Sequence, residues 1–79
     1  ASKNNMDGLL INFEKVVNET RDDLLTNMVA YLYERRYTKQ KDKKDLEKAF
    51  KYWGILLNSK DEKYKEIGIR KIKKYKEIN

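Results

Sequence analysis

The sequence predicts an all-α fold, a single small bundle of four amphipathic helices. Proline is absent and glycine occurs only three times in 79 residues, so few residues interrupt a helix. Apolar residues recur at helical spacing, and no hairpin signal joins two alternating runs. A residue that can cap a helix stands near the start of each apolar segment. The helices are expected at about 7–18, 21–37, 43–58 and 60–78.

The first two helices are each predicted from a cap and an apolar stripe. Asn5 or Asp7 is expected to cap the first helix. Its stripe consists of Leu9, Leu10, Phe13, Val16 and Val17. Thr20 is the expected N-cap of the second helix, with Asp23 completing a loose capping box. The inward stripe of that helix is predicted to consist of Leu24, Leu25, Met28, Tyr31 and Leu32.

The third and fourth helices are expected to form a helical hairpin or a helix-turn-helix-like corner. The polar segment 38–42 is predicted to be a flexible loop, and Asp42 at its end can cap the third helix. Ser59 opens an S-x-x-E capping box that closes at Glu62, so only one or two residues separate the last two helices. The third stripe consists of Leu46, Ala49, Phe50, Trp53 and Leu57, with the tryptophan expected as a core anchor. The fourth stripe consists of Tyr64, Ile67, Gly68, Ile72, Tyr75 and Ile78.

The length leaves room for one helical domain, residues 1–79, whose first five residues are expected to fray. The chain starts without Met, so a domain excised from a longer chain remains one interpretation. No apolar run approaches a membrane span, and the N-terminus has no signal-peptide core. Cysteine is absent, which fits a reducing compartment. A cytoplasmic location is therefore expected.

The residues needed for most catalytic and metal sites are missing. The chain has neither His nor Cys, and its only serines are Ser2 and Ser59, so no catalytic triad of the usual kind can be built. The paired carboxylates Asp22-Asp23 and Asp61-Glu62 fall in helix first turns, where caps and the helix dipole explain them. No phosphate-binding loop or calcium loop occurs. We expect a protein that is not an enzyme and that needs no cofactor or metal.

Charge is distributed unevenly along the chain. Residues 1–38 hold five Lys and Arg against six Asp and Glu, a net charge of −1. Residues 39–79 hold fourteen against seven, a net charge of +7. Such asymmetry indicates an anionic partner, which is nucleic acid, anionic lipid or an acidic protein. The alternative is that the excess of lysine reflects an AT-rich genome, which favours Lys codons, and has no functional role.

The first functional hypothesis is a DNA- or RNA-binding module that meets phosphates through the third and fourth helices. Lysine dominates over Arg, Asn and Gln, which favours backbone contact over base reading. The alternative is a solvated surface of Lys/Glu pairs such as Glu66–Arg70. The predicted nucleic-acid-binding residues are Lys39, Lys41, Lys44, Lys48, Lys51, Lys63, Arg70, Lys73 and Lys74.

The second hypothesis is a protein-interaction bundle. Six tyrosines exceed what the apolar stripes use, and Tyr and Arg are favoured at interfaces. The predicted exposed patch consists of Tyr33, Arg36, Tyr37, Tyr52, Ile55 and Ile69. A homodimer through this patch is one possibility, and burial of the second helix on two sides is the alternative. The profile of a short, basic, cysteine-free chain of four helices is similar to that of small bacteriocin-immunity bundles, which implies a protein partner. Docking on an anionic membrane surface is a third hypothesis.

Overall fold

The computed structural model describes the backbone of residues 2–78 and the side chains of residues 6–77. Within these residues the chain is all-α, as predicted, with four helices and no strand. The helices are α1 (Ser2–Thr20), α2 (Asp23–Gln40), α3 (Lys43–Leu56) and α4 (Glu62–Ile78).

The start of α1 lies earlier than the sequence predicted. Residues 2–5, expected to fray, belong to α1, and Ala1 lies outside the described residues. Asp7 is therefore inside the helix, where its exposed carboxylate accepts a hydrogen bond from Arg36. The expectation that Asn5 or Asp7 caps this helix was wrong.

Two turns of only two residues join the first three helices. In each turn a basic residue takes the left-handed conformation and an aspartate follows it as N-cap: Arg21 (φ 56°) with Asp22, and Lys41 (φ 57°) with Asp42. Asp42 accepts the N–H of Lys44 at 2.9 Å, as predicted. The segment 38–42, expected to be a loop, instead continues α2 as far as Gln40.

The cap of α2 differs from the prediction. Asp22 accepts the N–H of Leu25 at 2.9 Å. Thr20 remains in α1, where its hydroxyl donates to the carbonyl of Val16 at 2.9 Å. A threonine in the last turn of a helix can bond back to the preceding turn, so its hydroxyl does not cap the next helix.

Ser59 stabilises the turn between α3 and α4 through two hydrogen bonds of its hydroxyl. Its Oγ accepts the N–H of Asp61 at 3.0 Å and donates to Asp23 at 2.6 Å. Asp61 in turn accepts the N–H of Lys63 at 3.0 Å, which is the bond of a helix N-cap. The fourth helix consequently begins at Glu62, later than predicted.

All four helices contribute to the core, α1 through the buried residues Leu10 and Val17. Trp53 is 1% exposed and stacks on Tyr75 with ring centroids 5.5 Å apart, so the predicted core anchor is confirmed. Gly68 brings α4 close to α3, because a Cβ at this position would lie 2.7 Å from the Trp53 carbonyl oxygen. Only a residue without a side chain allows this approach.

The orientation of α2 agrees with the prediction only in part. Of the five residues predicted to face inward, Leu25 and Leu32 are half-buried against the core. Leu24, Met28 and Tyr31, predicted to face inward, are 59%, 42% and 53% exposed. The buried face instead consists of Thr26, Val29, Ala30, Tyr33 and Glu34. This helix has apolar residues on two sides, and the side that packs against α3 includes polar groups whose hydrogen-bond partners come from other helices.

The molecule is flat, with Cα extents of 38 × 31 × 14 Å. Helices that are neighbours in sequence pack together, α1 on α2, α2 on α3 and α3 on α4. Within the described part of the chain, no helix has the length and apolar character needed to cross a bilayer. A flat arrangement leaves every helix with an outward face.

Candidate nucleic-acid interface

A row of lysines follows one exposed side of α3. Lys44, Lys48 and Lys51 stand at i, i+4 and i+7 and all three are exposed. They line a groove of about 480 Å³, which we call the α3 lysine groove. Its remaining lining residues are Tyr33, Arg36, Asp45 and Glu47. The three lysines of α3 that were predicted to bind nucleic acid therefore lie on one continuous surface.

Arg36 joins three helices at one end of this groove. Its guanidinium donates to the buried carboxylate of Asp45 on α3, with N···O distances of 2.9–3.2 Å, and to Asp7 on α1. It also lies 5.6 Å from the ring centre of Tyr33. A guanidinium held by two carboxylates has few donors left for a partner. The expectation that Arg36 belongs to a partner interface is not supported by this position.

A second carboxylate, that of the half-buried Glu14 on α1, lies beside the groove. It accepts hydrogen bonds from the hydroxyl of Tyr33, from the hydroxyl of Tyr52 at 2.6 Å and from Lys48 Nζ at 3.1 Å. Burial raises the pKa of Glu14, but these three donors and the charge of Lys48 outweigh it, so the pKa lies below its usual value. Burial and the bond to Glu14 raise the pKa of both tyrosines. Glu14 therefore ties α1 to α2 and α3.

Glu34 on α2 repeats this arrangement toward α4. It accepts Lys71 Nζ through both carboxylate oxygens at 3.0 Å and the hydroxyl of Tyr75 at 2.7 Å. Burial, followed by the bond to Glu34, raises the pKa of Tyr75 to about 12. Apart from the Tyr33 hydroxyl, the donors of each cluster come from one K-x-x-K-Y sequence, residues 48–52 for Glu14 and 71–75 for Glu34. In each case the first lysine and the tyrosine are one helical turn apart, so both reach the same carboxylate.

Neither cluster was predicted from the sequence. Glu14 and Glu34 were not singled out, because a carboxylate on a helix is most often solvated. The usable signal was the repeated K-x-x-K-Y, combined with tyrosines that need a partner for their hydroxyl when they are buried.

The carboxylates of Glu14 and Glu34 are bound within these clusters, and most of the predicted nucleic-acid-binding lysines have no ion-pair partner among the described side chains. All nine predicted nucleic-acid-binding residues are exposed. Among the side chains of residues 6–77, only Lys48 of these nine is within ion-pair distance of a carboxylate. Four of the lysines lie 5.3–5.7 Å from the centre of a tyrosine ring on the same helix or in the adjoining turn. These four are Lys41, Lys51, Lys63 and Lys74.

The structure does not bring all nine residues to one groove. Arg70 lines a different groove, between α2 and α4, together with Met28 and Tyr31. Lys73 lines a third hollow with Leu57 and other apolar residues at the α3–α4 contact. The lysines of α3 and the cations of α4 therefore present two basic regions that share no lining residue.

The predicted patch of tyrosines and isoleucines is not exposed. Tyr33 and Tyr52 are 5% and 0% exposed, with parallel rings 6.4 Å apart. Tyr37 and Ile55 are half-buried against the core. Of the two isoleucines in the patch, Ile69 alone is exposed. The expectation of an outward patch was wrong for Tyr33 and Tyr52, because Glu14 accepts the hydrogen bonds of both hydroxyls inside the fold.

Among the described side chains, no group of three or more acidic residues is placed to hold a metal ion. Comparison with known proteins found no matching family model, no similar curated protein and no similar solved structure.

Proposed function

We propose that this chain is a non-enzymatic DNA-binding module that contacts phosphates through α3 and α4, with the α3 lysine groove as the main contact. The observation that supports it most is the pairing pattern. The largely buried carboxylates Glu14, Glu34 and Asp45 take their partners from neighbouring helices of the same chain. Exposed lysines remain on the surface of a chain with net charge +6. Release of counterions from phosphates gives such a surface its affinity.

The spacing of the α3 lysines suits a phosphate backbone. Lys44 and Lys51 are separated by seven residues, which is about 10 Å along a helix axis. A DNA strand passes about three phosphates over that distance, at roughly 3.4 Å of helix axis each. Three flexible lysines can therefore each meet a phosphate without deforming the duplex.

The residues of the groove favour binding with little sequence preference. Base reading mostly uses bidentate Arg, Asn or Gln. The only such side chain that lines the groove is Arg36, and Asp45 and Asp7 already hold it. The cations of α4 lie outside this groove, so they act through the long-range field and through contacts with flanking DNA. These α4 residues are Lys63, Arg70, Lys73 and Lys74.

The test is the anisotropy of a labelled duplex, measured at several salt concentrations. Contacts with five or six phosphates predict a log–log slope of about −5. Lys44→Gln with Lys51→Gln removes two contacts and should make the slope shallower by about 2. Lys48 is left in place because it also holds Glu14.

The matched control carries the same loss of two charges on the other half of the chain. Lys15→Gln with Arg21→Asn changes two exposed residues outside the groove, and asparagine tolerates the left-handed conformation at position 21. This control should keep the slope of the unmodified chain. The proposal fails if the duplex does not bind at low salt, or if both double variants weaken binding equally. Single-stranded RNA in place of the duplex shows which nucleic acid is preferred.

A further inference from the structure

The outward side of α2 is an apolar stripe with no partner in the fold. Leu24, Met28 and Tyr31 stand at i, i+4 and i+7 and are 59%, 42% and 53% exposed. The buried residues Val29 and Tyr33 lie on the other side of the same helix. Single exposed apolar residues are ordinary on a protein surface, but an aligned row beside a groove marks a binding surface.

The stripe borders a groove between α2 and α4, which we call the α2–α4 groove. Met28 and Tyr31 of α2 and Ile67 of α4 are its apolar lining residues, and the buried Trp53 lies behind them. Arg70 of α4 lines it as well. The groove measures about 380 Å³. Met, Tyr, Trp and Arg are the residue types enriched in protein interfaces.

The charges around this groove are positive. Arg70 is exposed, and Arg35 reaches the hydroxyl of Tyr31 at 3.4 Å. Neither guanidinium has an ion-pair partner among the described side chains. The one carboxylate that lines the groove, Glu34, is bound by Lys71. A complementary ligand therefore combines apolar residues with carboxylates at their flanks.

Charge also discriminates among the possible occupants. In a two-fold dimer each surface meets its own copy, so the guanidiniums around the groove would face one another across two chains of net charge +6. A helix that lies in a membrane surface needs a broad apolar face, whereas this stripe is three residues long and Arg35 stands beside it.

We propose that the α2–α4 groove binds an acidic amphipathic helix of a protein partner. Apolar side chains of the ligand at helical spacing contact Met28, Tyr31 and Ile67, and its flanking carboxylates reach Arg35 and Arg70. This is the helix-in-groove form of peptide recognition. It uses a surface other than the α3 lysine groove, so the chain can hold nucleic acid and a protein partner at separate places.

The test uses a synthetic acidic peptide of about four helical turns, with leucines along one face and glutamates beside them. A scrambled peptide of the same composition, whose leucines are spread around the helix, is the control ligand. Anisotropy of the labelled peptide and the fluorescence of Trp53 follow binding. We expect the scrambled peptide to bind at least about tenfold more weakly, because matched apolar contacts contribute more than about 1.4 kcal/mol.

Variants of the protein locate the site. Met28→Glu places a negative charge against an acidic ligand and should weaken binding by about tenfold or more. Ile11→Glu makes the same charge change at a 64% exposed apolar residue of α1 and should change affinity by less than about twofold. Lys44→Gln with Lys51→Gln should also leave peptide binding unchanged. If circular dichroism shows that Met28→Glu unfolds the chain, Tyr31→Ser replaces it with the same expectation.

Four results would overturn the proposal: failure of the designed peptide to bind at low salt, equal affinity for the two peptides, no effect of the groove variant, and a different occupant. Sedimentation equilibrium reveals a second copy as occupant if it shows a reversible dimer that Met28→Glu dissociates. Vesicles of phosphatidylglycerol reveal a membrane if they bind the protein and Met28→Glu abolishes that binding.

Discussion

At the scale of single residues, the fold is held together by carboxylates that helices share. Glu14 receives three donors from two other helices, and Glu34 receives two donors from α4. Replacing such a carboxylate strongly destabilises the folded state, because its hydrogen-bond donors then lose their charged acceptor. In a chain of 79 residues, whose core is necessarily small, such bonds make a large part of the stability margin.

The Glu14→Gln variant tests this role. A neutral amide accepts the hydroxyls of Tyr33 and Tyr52 more weakly and cannot pair with Lys48. We expect the free energy of unfolding to fall by about 2 kcal/mol and the Tm to fall by roughly 10 °C. Urea unfolding followed by circular dichroism measures the change.

Glu19→Gln is the matched control, because Glu19 is on the same helix, is exposed and makes no ion pair among the described side chains. It should change stability by less than about 0.5 kcal/mol. Equal effects of the two variants would show that Glu14 acts only through the net charge of the chain.

At the scale of helices, the number and order of the elements were predicted correctly from the sequence, but the buried side of α2 was predicted only in part. Leu46, Ala49 and Trp53 are buried as their stripe predicted, but Tyr52 of the same helix, predicted to be exposed, is buried as well. The α2 helix has apolar residues on both sides, so periodicity alone could not choose the buried side. The buried side is the one on which Tyr33 and Glu34 form hydrogen bonds with residues of α1 and α4. Such partners are far away in sequence, and no local pattern shows them.

The contact between α3 and α4 can be tested with two glycines. At Gly68 an added Cβ would meet the Trp53 carbonyl at 2.7 Å and the Cβ of Leu56 at 3.2 Å. We expect Gly68→Ala to lower stability by about 2 kcal/mol, since the helices must move apart. Gly54 in α3 has no atom within 4 Å of an added Cβ and no positive φ. Gly54→Ala should stabilise the chain by roughly 0.5–1 kcal/mol through helix propensity.

Thermal unfolding of the two alanine variants gives the comparison directly. A stabilising effect at both positions would mean that α4 does not approach α3 as closely as the fold requires. Opposite signs from the same chemical change would place the close approach at Gly68.

At the scale of the whole molecule, charge is sorted between interior and surface. The interior carboxylates take cations or phenols from neighbouring helices, and the remaining lysines face outward on a flat body. The excess of positive charge and the regularly spaced lysines of α3 could be predicted from the sequence. The sequence could not show that the α3 lysines and Arg70 line different grooves, because this depends on which sides of α2 those grooves border. The two separate grooves follow from the fold and not from composition, and we propose one of them for phosphates and the other for an acidic helix.

The same sorting sets a pH window for stability. The pKa of Glu14 is lowered in the folded state, so its contribution is present above the unfolded value of 4.5 and is lost as pH falls through the folded pKa. The pKa of Tyr75 is raised to about 12, so its contribution is present below the unfolded value of 10.0 and is lost as pH rises through about 12. Tyr33 and Tyr52 shift in the same direction. We therefore expect stability in urea to decline on both sides, below about pH 4.5 and above about pH 10.

Two variants separate the acidic and alkaline limbs. Glu14→Gln should flatten the acidic limb, since the amide does not titrate, and leave much of the alkaline limb in place. Tyr75→Phe should reduce the loss above pH 10 relative to Tyr31→Phe, which removes an exposed phenol that donates no hydrogen bond to a carboxylate. Every other group of the chain is the same in the two phenylalanine variants. The difference between these two profiles therefore measures the buried phenol alone, and identical profiles would show that the bond from Tyr75 to Glu34 does not contribute to folding.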